Sequence, residues 1–179
     1  MTNEEKADAS FSTEAFLKDR VIFMEEEFNE KTCNKLKKQL LYLMTHNEKE
    51  PVTIYISSYG GGIHEFLMLY GLLEKKRFPL TTIALGKAMS AGSYLLLLGD
   101  IRLAYPHSRI MFHELAYSNK YSKLHDQKYD YDESERLQKI LTDLVKKVTK
   151  VKKVEEFLKK DSYVEIDEAK KLDILTGTI

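Results

Sequence analysis

The chain has 179 residues, with 28 Lys plus Arg against 28 Asp plus Glu, so it carries no formal net charge. Its composition is that of an ordinary globular protein, at 43% hydrophobic and 31% charged residues. This length predicts one domain with a sizeable core, and the balanced charge excludes nucleic-acid binding through bulk positive charge.

The start of the chain and its cysteine content indicate a compartment. Residues 1–15 are acidic and polar, unlike a signal peptide, and no apolar run is long enough to span a bilayer. The single cysteine, Cys33, cannot form an internal disulfide, which fits a reducing compartment. It falls in a helical pattern, so we expect a small core residue and not a reactive thiol. We therefore predict a cytoplasmic protein with no membrane partner.

Residues 1–15 are predicted to be a flexible tail, and residues 16–179 are predicted to form the single domain. The first part of this domain alternates strands with helices. Short β-branched runs predict strands and apolar residues at helical spacing predict helices: a strand at 21–24, a helix at 32–44, a strand at 52–56, a helix at 63–75 and a strand at 80–85 that ends at Gly86. This order favours an α/β fold with a parallel sheet and crossover helices.

The second part of the chain continues the pattern and contains a long amphipathic helix that reaches Val148. This helix follows a polar, tyrosine-rich stretch at 117–131. The other predicted elements are a buried helix between Ser90 and Gly99, strands at 101–105 and 109–113, a helix around 151–158, a short helix at 167–172 and a tail or last strand at 174–179.

Ser90 lies where a predicted strand turns sharply into a helix, and its neighbours are small. Ala88, Ala91 and Gly92 make nearly the G-x-S-x-G pattern of a nucleophile elbow, with Ala replacing the first Gly. A serine nucleophile must project its hydroxyl past its neighbours, and free N–H groups of the first helical turn can stabilise an oxyanion. The alternative is that Ser90 only caps the helix, which serine does well. Ser93, one turn into the helix, is the weaker rival nucleophile.

The turn at 57–62 ends in three consecutive glycines. Glycines let backbone N–H groups approach a ligand closely. The turn lacks both the Lys-Ser/Thr of a phosphate loop and the spacing of a dinucleotide loop. It therefore fits either a backbone site or a tight turn with no ligand, and we predict neither a cofactor nor a metal ion.

His113 closes a predicted strand shortly after the Ser90 helix, where the two side chains could meet in space. A histidine at the end of a strand is either a structural residue or a general base, for which an imidazole has a suitable pKa. The other histidines lie in a charged loop, at a helix start, in a turn and in a polar region, and are weaker candidates: His46, His64, His107 and His125.

Together these segments resemble the Clp protease proteolytic subunit family (ClpP), which are serine peptidases, from about Phe16 to Leu175. FLKDRVIF is similar to the family's opening strand, and IYISSYGGGI to its strand and Gly-rich loop, where the family usually has Asn-Ser-Pro-Gly-Gly. IALGKAMSAGSYLLLLG resembles the stretch around the nucleophile, and PHSRIMFHE the stretch that ends in the catalytic histidine. The combination is specific because the order and spacing of the motifs agree over most of the chain.

The resemblance implies an α/β fold of the crotonase/ClpP-like kind, a spiral of βα units with a protruding handle of a strand and a long helix, here roughly 114–148. Handles of this kind interlock two heptameric rings into a barrel with the active sites inside. The implied activity is ATP-dependent proteolysis, in which a hexameric AAA+ ATPase feeds unfolded polypeptides to the endopeptidase. We therefore expect a homo-oligomer whose partners are unfolded polypeptides and such an ATPase.

The resemblance also assigns roles to individual residues. Ser90 corresponds to the nucleophile and His113 to the general base of a serine peptidase. The backbone N–H groups of Gly61 and Ala91 correspond to the oxyanion hole, which gives the glycine turn a specific task.

The third member of the catalytic triad departs from the family. An ungapped alignment of VKKVEEFLKKDSYVEIDEAKKL places Phe157 where the family has its aspartate. Phe157 can neither accept the histidine N–H nor stabilise an imidazolium, and loss of this aspartate costs an unrelated serine protease about 10⁴ in rate. Asp161, one helical turn further on, could substitute if the backbone shifts. Glu114 would point to the opposite face of its strand.

Two further departures concern the family's partners. The chain begins closer to its first strand than family members do, and their extra residues help to engage the ATPase. The stretch ELAYSNKYSKLHD lacks the family's Pro and Gly-rich substrate-binding strand. We therefore expect ATPase docking and substrate handling to differ. Asp173 replaces a usual glycine, a change that Asp tolerates because its side chain permits a left-handed backbone.

Three functions remain open at this point. The favoured one is a serine endopeptidase subunit that uses Ser90 and His113. The alternative is a non-catalytic or weakly active ring subunit, motivated by Phe157. A crotonase-type acyl-CoA enzyme also fits the fold, but a Ser–His pair in register would be superfluous to it.

Overall fold

The computed structural model of the chain describes residues 14–116 and 126–179. The predicted flexible tail lies outside these residues except for its last two, which are helical. The strand predicted for the handle falls mostly on 117–125 and also lies outside them. The long helix of the predicted handle lies within them and ends at Val148.

The described residues form strands and helices that alternate over most of the chain. The strands are β1 Val21–Met24, β2 Val52–Ser58, β3 Leu80–Met89, β4 Ile101–Ala104, β5 Arg109–Phe112 and β6 Ser162–Val164. The helices are α1 Glu30–Thr45, α2 Ile63–Leu73, α3 Ala91–Leu96, α4 Asp126–Val148, α5 Val154–Leu158 and α6 Ile166–Lys171. The predicted elements are confirmed in order and type, with ends that differ by a few residues.

All of these strands belong to one six-stranded sheet, with the order β1-β2-β3-β5-β6 and with β4 also paired to β3. Every pairing is parallel except β5 with β6, which is antiparallel. The helices between successive strands supply the crossovers that parallel strands require. The α/β fold class predicted from the sequence is therefore confirmed.

The prediction that β3 ends at Gly86 is wrong, since the strand continues to Met89. Gly86 has a φ of 81°, and its N–H donates to the hydroxyl oxygen of Ser108 at 3.1 Å. The first half of β3 pairs with β4 and its last residues pair with β5. A positive φ, which glycine adopts without steric cost, lets the strand bend and change partner where the sequence predicted a stop.

The end of the chain matches one of its two predicted alternatives, a tail, while a nearby strand was not predicted. Residues 174–179 form no strand, yet the N–H of Thr176 donates to the carbonyl of Arg102 at 2.8 Å, so the tail runs beside β4. The short strand β6, which the sequence analysis did not predict, closes the sheet against β5. Asp173 has a φ of 54°, in agreement with the left-handed backbone expected there.

The core lies between the sheet and the helices that cover it. α3 is buried along its whole length, and α1 buries one face that includes Cys33. Burial raises the pKa of the Cys33 thiol to about 11, so the thiol stays protonated at neutral pH. Cys33 is thus a core residue, as predicted. Among residues 14–116 and 126–179, no helix combines the length and apolar character needed to cross a bilayer.

Candidate active site

The backbone at Ser90 is strained in the way that a nucleophile elbow requires. Ser90 connects β3 to α3 with φ 51° and ψ −123°, a conformation that non-glycine residues rarely adopt. Such a residue costs roughly 1–3 kcal/mol and persists only where the surrounding structure enforces it. Ser90 occupies the N-cap position of α3, but its side chain makes no capping hydrogen bond. The capping role considered from the sequence therefore does not account for this hydroxyl.

The Ser90 hydroxyl instead meets His113. Met89 at the end of β3 is in register with Met111 on β5, and the Ser90 N–H donates to the Met111 carbonyl at 2.9 Å. Because both strands run in the same direction, their following residues emerge at the same edge of the sheet. His113 directly follows β5, and its Nε2 lies 2.7 Å from Ser90 Oγ. The structure thus brings together two residues that the sequence places 23 positions apart.

Ser93, the rival nucleophile, is fully buried and occupied with another task. Its hydroxyl donates to the backbone carbonyl of Ser90 at 2.7 Å. This bond holds the first turn of α3, so Ser93 supports the elbow and does not compete with it.

The glycine turn packs directly against the elbow. Gly60 and Gly61 have φ values of 104° and 141°. A Cβ on Gly60 would lie 2.6 Å from the Cβ of Ser90, so only glycine permits this approach. Gly61 forms a bridge with Phe28 in which the Gly60 carbonyl and the Gly62 N–H make the hydrogen bonds. Within the described part of the chain, the Gly61 N–H is left without an acceptor.

Ala91 supplies a second available N–H group. It is the first residue of α3, and the first N–H groups of a helix have no intrahelical acceptor. Gly61, Ala91, Ser90 and His113 all line one pocket of about 330 Å³. Apolar side chains form much of the remaining wall, among them Ile63, Phe66, Tyr94, Leu115 and Leu141. The arrangement has the parts needed for acyl transfer, namely a hydroxyl, a base and donors for an oxyanion.

Ser58 holds the glycine turn in place through two hydrogen bonds. Its side chain is buried, its hydroxyl donates to the Glu26 carbonyl at 2.6 Å, and its oxygen accepts the Gly60 N–H at 3.1 Å. The turn is therefore held both by the segment after β1 and by its own serine. The sequence analysis treated Ser58 only as part of the turn, and its burial next to three glycines was not visible from the pattern.

Phe157, which the sequence alignment assigns to the acid position of the triad, packs against an aromatic ring. The half-buried Phe157, on α5, has its ring centroid 5.6 Å from that of Phe112, the residue before His113. Asp161 is exposed and lies between α5 and β6. Over residues 14–116 and 126–179, no hydrogen bond or ion pair joins Asp161 to His113, and no group accepts a hydrogen bond from His113 Nδ1. The role of Asp161 as a substitute acid stays a prediction.

The sequence analysis missed one residue beside His113. The Tyr94 hydroxyl donates to the His113 backbone carbonyl at 2.8 Å, and its ring is buried against Phe112. A usable signal was present, because a tyrosine within the run of leucines on α3 must find a hydrogen-bond partner when it is buried. The pattern did not reveal which group would accept this bond.

Comparison with known proteins identifies the relatives of this fold and site. A family model described as Clp protease matches residues 3–177. The chain is 30% identical over 165 residues to ATP-dependent Clp protease proteolytic subunit 2 of Prochlorococcus marinus (strain NATL2A), covering 90% of this chain and 82% of the relative. It is 28% identical over 165 residues to ATP-dependent Clp protease proteolytic subunit 3 of Synechococcus sp. (strain CC9605), covering 90% and 82%.

We expect Gly61→Ala to lower the free energy of unfolding by about 1–3 kcal/mol, because alanine is strained at this positive φ. The new Cβ would also stand 2.6 Å from the Phe28 carbonyl oxygen. Urea unfolding followed by circular dichroism measures the change. Gly71→Ala is the matched control, since Gly71 lies inside α2 with no atom within 4 Å of the added Cβ. This control should gain about 0.5–1 kcal/mol, and equal effects at both glycines would contradict the strain argument.

Proposed function

Because the chain belongs to the Clp protease family, we propose that it is a serine endopeptidase subunit that cleaves unfolded polypeptides. The observation that carries this proposal is the 2.7 Å contact between the Ser90 hydroxyl and His113 Nε2. The hydroxyl sits on a strained elbow, makes no capping bond and faces a pocket with oxyanion donors. A serine with only a structural role needs none of these features.

The proposed reaction follows from the positions of these atoms. Ser90 Oγ bonds to the scissile carbonyl carbon as its proton passes to His113 Nε2. The tetrahedral intermediate then collapses, the C–N bond breaks, and His113 gives the proton to the leaving amine. Water repeats the sequence at the acyl ester, with its proton taken by His113 and returned to Ser90.

The two available N–H groups act on the intermediate. Its oxygen carries a negative charge that the substrate carbonyl lacks, so donors at Gly61 and Ala91 bind the transition state more strongly than the substrate. Two features preorganise these donors. The turn that carries Gly61 is bonded to Phe28 and Ser58, and Ala91 is fixed by α3.

Assembly and partners are proposed on the same family basis. We expect copies of this chain to form rings, with α4 contributing to contacts between copies. Tyr129 and Tyr131 on α4 expose large aromatic surfaces, which fits an interface with a second copy. The relatives are described as ATP-dependent proteolytic subunits, so an ATPase of the Clp type is the proposed partner. A cytoplasmic location is proposed with it.

A second candidate function is a non-catalytic or weakly active ring subunit. The observation that favours it is Phe157, because the alignment assigns an aromatic ring to the position of the carboxylate that orients the base and stabilises its charge. Over the described residues, no other group accepts a hydrogen bond from His113 Nδ1. The two candidates differ in whether Ser90 reacts as a nucleophile.

One feature of the sheet register supports a role for Asp161 as the acid. β5 and β6 are antiparallel, with Phe112 opposite Ser162. Continuing this ladder by one pair would place His113 opposite Asp161, and such partners have Cβ atoms about 4.5–5.5 Å apart. In the structure the chain departs from the ladder here, since the Glu114 N–H donates to the Leu158 carbonyl. We propose that Asp161 assists His113 in a state in which the ladder is longer.

We expect a fluorophosphonate probe to form one covalent adduct with the intact protein, because the Ser90 oxygen displaces fluoride from phosphorus once His113 removes its proton. Intact mass measures the adduct, and fragmentation of the labelled peptide locates it. Ser90→Ala should remove the adduct entirely. Ser57→Ala is the control, because Ser57 is a half-buried serine on β2 outside the pocket, and its loss should leave labelling unchanged.

An unlabelled parent protein, under conditions that label an ordinary serine peptidase, would contradict the peptidase proposal. The non-catalytic ring subunit would then be the better description. An adduct that survives in Ser90→Ala would contradict the assignment of the nucleophile while leaving a reactive serine elsewhere.

We expect Phe157→Asp to raise the kcat for a fluorogenic peptide by at least about tenfold, within the roughly 10⁴ that a triad aspartate can contribute. Phe157→Asn is the matched control, since it removes the same ring and leaves a side chain of similar size without charge. Both variants lose the packing against Phe112, so their ratio isolates the carboxylate. Equal activity of the two variants would show that a missing acid does not limit the reaction.

Asp161→Asn tests the substitute acid directly. If Asp161 assists His113, we expect kcat to fall by at least about tenfold, because the imidazolium loses its counter-charge. Asp19→Asn, at an exposed aspartate ahead of β1, should leave kcat unchanged. An Asp161→Asn protein with the parent's kcat would mean that Ser90 and His113 act without this carboxylate.

A further inference from the structure

The backbone that carries His113 is anchored at consecutive residues. The His113 carbonyl accepts a hydrogen bond from the Tyr94 hydroxyl at 2.8 Å. The next N–H, of Glu114, donates to the Leu158 carbonyl at 2.6 Å. The N–H after that, of Leu115, donates to Gln138 Oε1 at 2.7 Å. Two of these three partners are side chains, so a substitution can remove each without altering the backbone.

Tyr94 is tightly packed on the helix that follows the elbow. It belongs to α3, the helix that begins directly after Ser90, and its side chain is 2% exposed. Its ring meets Phe112 edge to face, with centroids 5.5 Å apart. Burial raises the pKa of the Tyr94 phenol, which keeps the hydroxyl protonated and able to donate. The same short helix therefore fixes the nucleophile and the backbone of its base.

Gln138 anchors the other side from the long helix α4. Its Oε1 accepts the Leu115 N–H, and its Nε2 donates to the Thr142 hydroxyl oxygen at 3.2 Å. With both ends of the amide engaged, the side chain is fixed in one orientation. Leu115 lines the pocket beside His113, so this bond ties α4 to the pocket wall.

These anchors matter because the usual means of orienting the base is lacking. In a triad, the acid accepts the Nδ1 hydrogen and fixes the orientation of the imidazole. Here the sequence alignment assigns Phe157 to the acid position, and the described residues offer Nδ1 no acceptor. The direction of the imidazole then depends on where the backbone places the Cα–Cβ bond of His113. An error of even 1 Å in such a position can cost about 10² in rate.

We propose that Tyr94 and Gln138 are positioning residues, which hold the backbone of residues 113–115 so that Nε2 of His113 meets Ser90 Oγ in the conformation described here, in which none of the described residues supplies an acid at Nδ1. The proposal rests on the proposed peptidase function. It assigns to two side chains on different helices an orienting task that one carboxylate performs in a triad. Neither side chain needs to touch the substrate for this task.

The first experiment measures kcat, KM and the rate of fluorophosphonate labelling for Tyr94→Phe, which removes a single oxygen. We expect kcat and the labelling rate to fall by about twofold to tenfold, the effect of one buried hydrogen bond, with KM nearly unchanged. Tyr42→Phe is the matched control, because the Tyr42 ring is exposed on α1, outside the pocket. It should match the parent in all three measurements.

The second pair of variants separates hydrogen bonding from shape at Gln138. Gln138→Leu removes the acceptor and should lower the labelling rate by a similar factor. Gln138→Glu keeps an oxygen that can accept the Leu115 N–H, and we expect it to restore the parent rate. Equal rates for the leucine and glutamate variants would overturn the role of Gln138.

A double substitution distinguishes orientation from general stability. In a Phe157→Asp background, a carboxylate can fix the imidazole through Nδ1, so adding Tyr94→Phe should have less effect than it has alone. A merely structural role for Tyr94 would give the same fold-change in both backgrounds and would overturn the proposal. A labelled parent whose rate Tyr94→Phe leaves unaltered would also overturn it. An unlabelled parent would instead overturn the peptidase function on which it rests.

Discussion

The site depends on the pairing of the last residues of β3 with β5. The bend at Gly86 lets β3 leave β4 and continue beside β5, in a register that sets Met89 against Met111. The residues that follow these two then emerge side by side, which brings the Ser90 hydroxyl within 2.7 Å of His113. Had the strand stopped at Gly86, no ladder would relate the two side chains. The positive φ at Ser90 is sustained because both flanking elements are fixed in this way.

A second constraint is the contact between the glycine turn and the elbow. A Cβ at Gly60 would fall 2.6 Å from the Cβ of Ser90, so the two segments approach more closely than side chains allow. The glycine turn also forms hydrogen bonds with Phe28 and with the buried Ser58, and these connect it to the segment after β1. Three regions of the chain that are distant in sequence therefore share one packed junction. This junction explains why small residues cluster at both motifs, since each motif supplies the space that the other needs.

Much of this arrangement could be predicted from the sequence, for identifiable reasons. Small residues around Ser90 indicate an elbow, and a strand that ends at His113 on the same sheet edge indicates its partner. The continuation of β3 could not be predicted, because glycine within an apolar run is as typical of a stop as of a bend. β6 was missed because Ser162–Val164 is too short for an alternating pattern to show. Side-chain bonds such as that of Tyr94 depend on tertiary contacts, on which periodicity carries no information.

The orientation of a catalytic histidine and the stabilisation of its charge are separate tasks, which an aspartate performs together. Here the hydrogen bonds of Tyr94 and Gln138 constrain only the backbone and contribute no negative charge. Phe157, which packs against Phe112, can supply neither a hydrogen-bond acceptor nor a counter-charge to the imidazole. A site built in this way can hold Ser90 and His113 in position while forming the charged intermediate slowly. In the proposed peptidase, substrate binding is then less affected than the chemical step, because the proposed oxyanion donors and the pocket walls do not depend on the missing carboxylate.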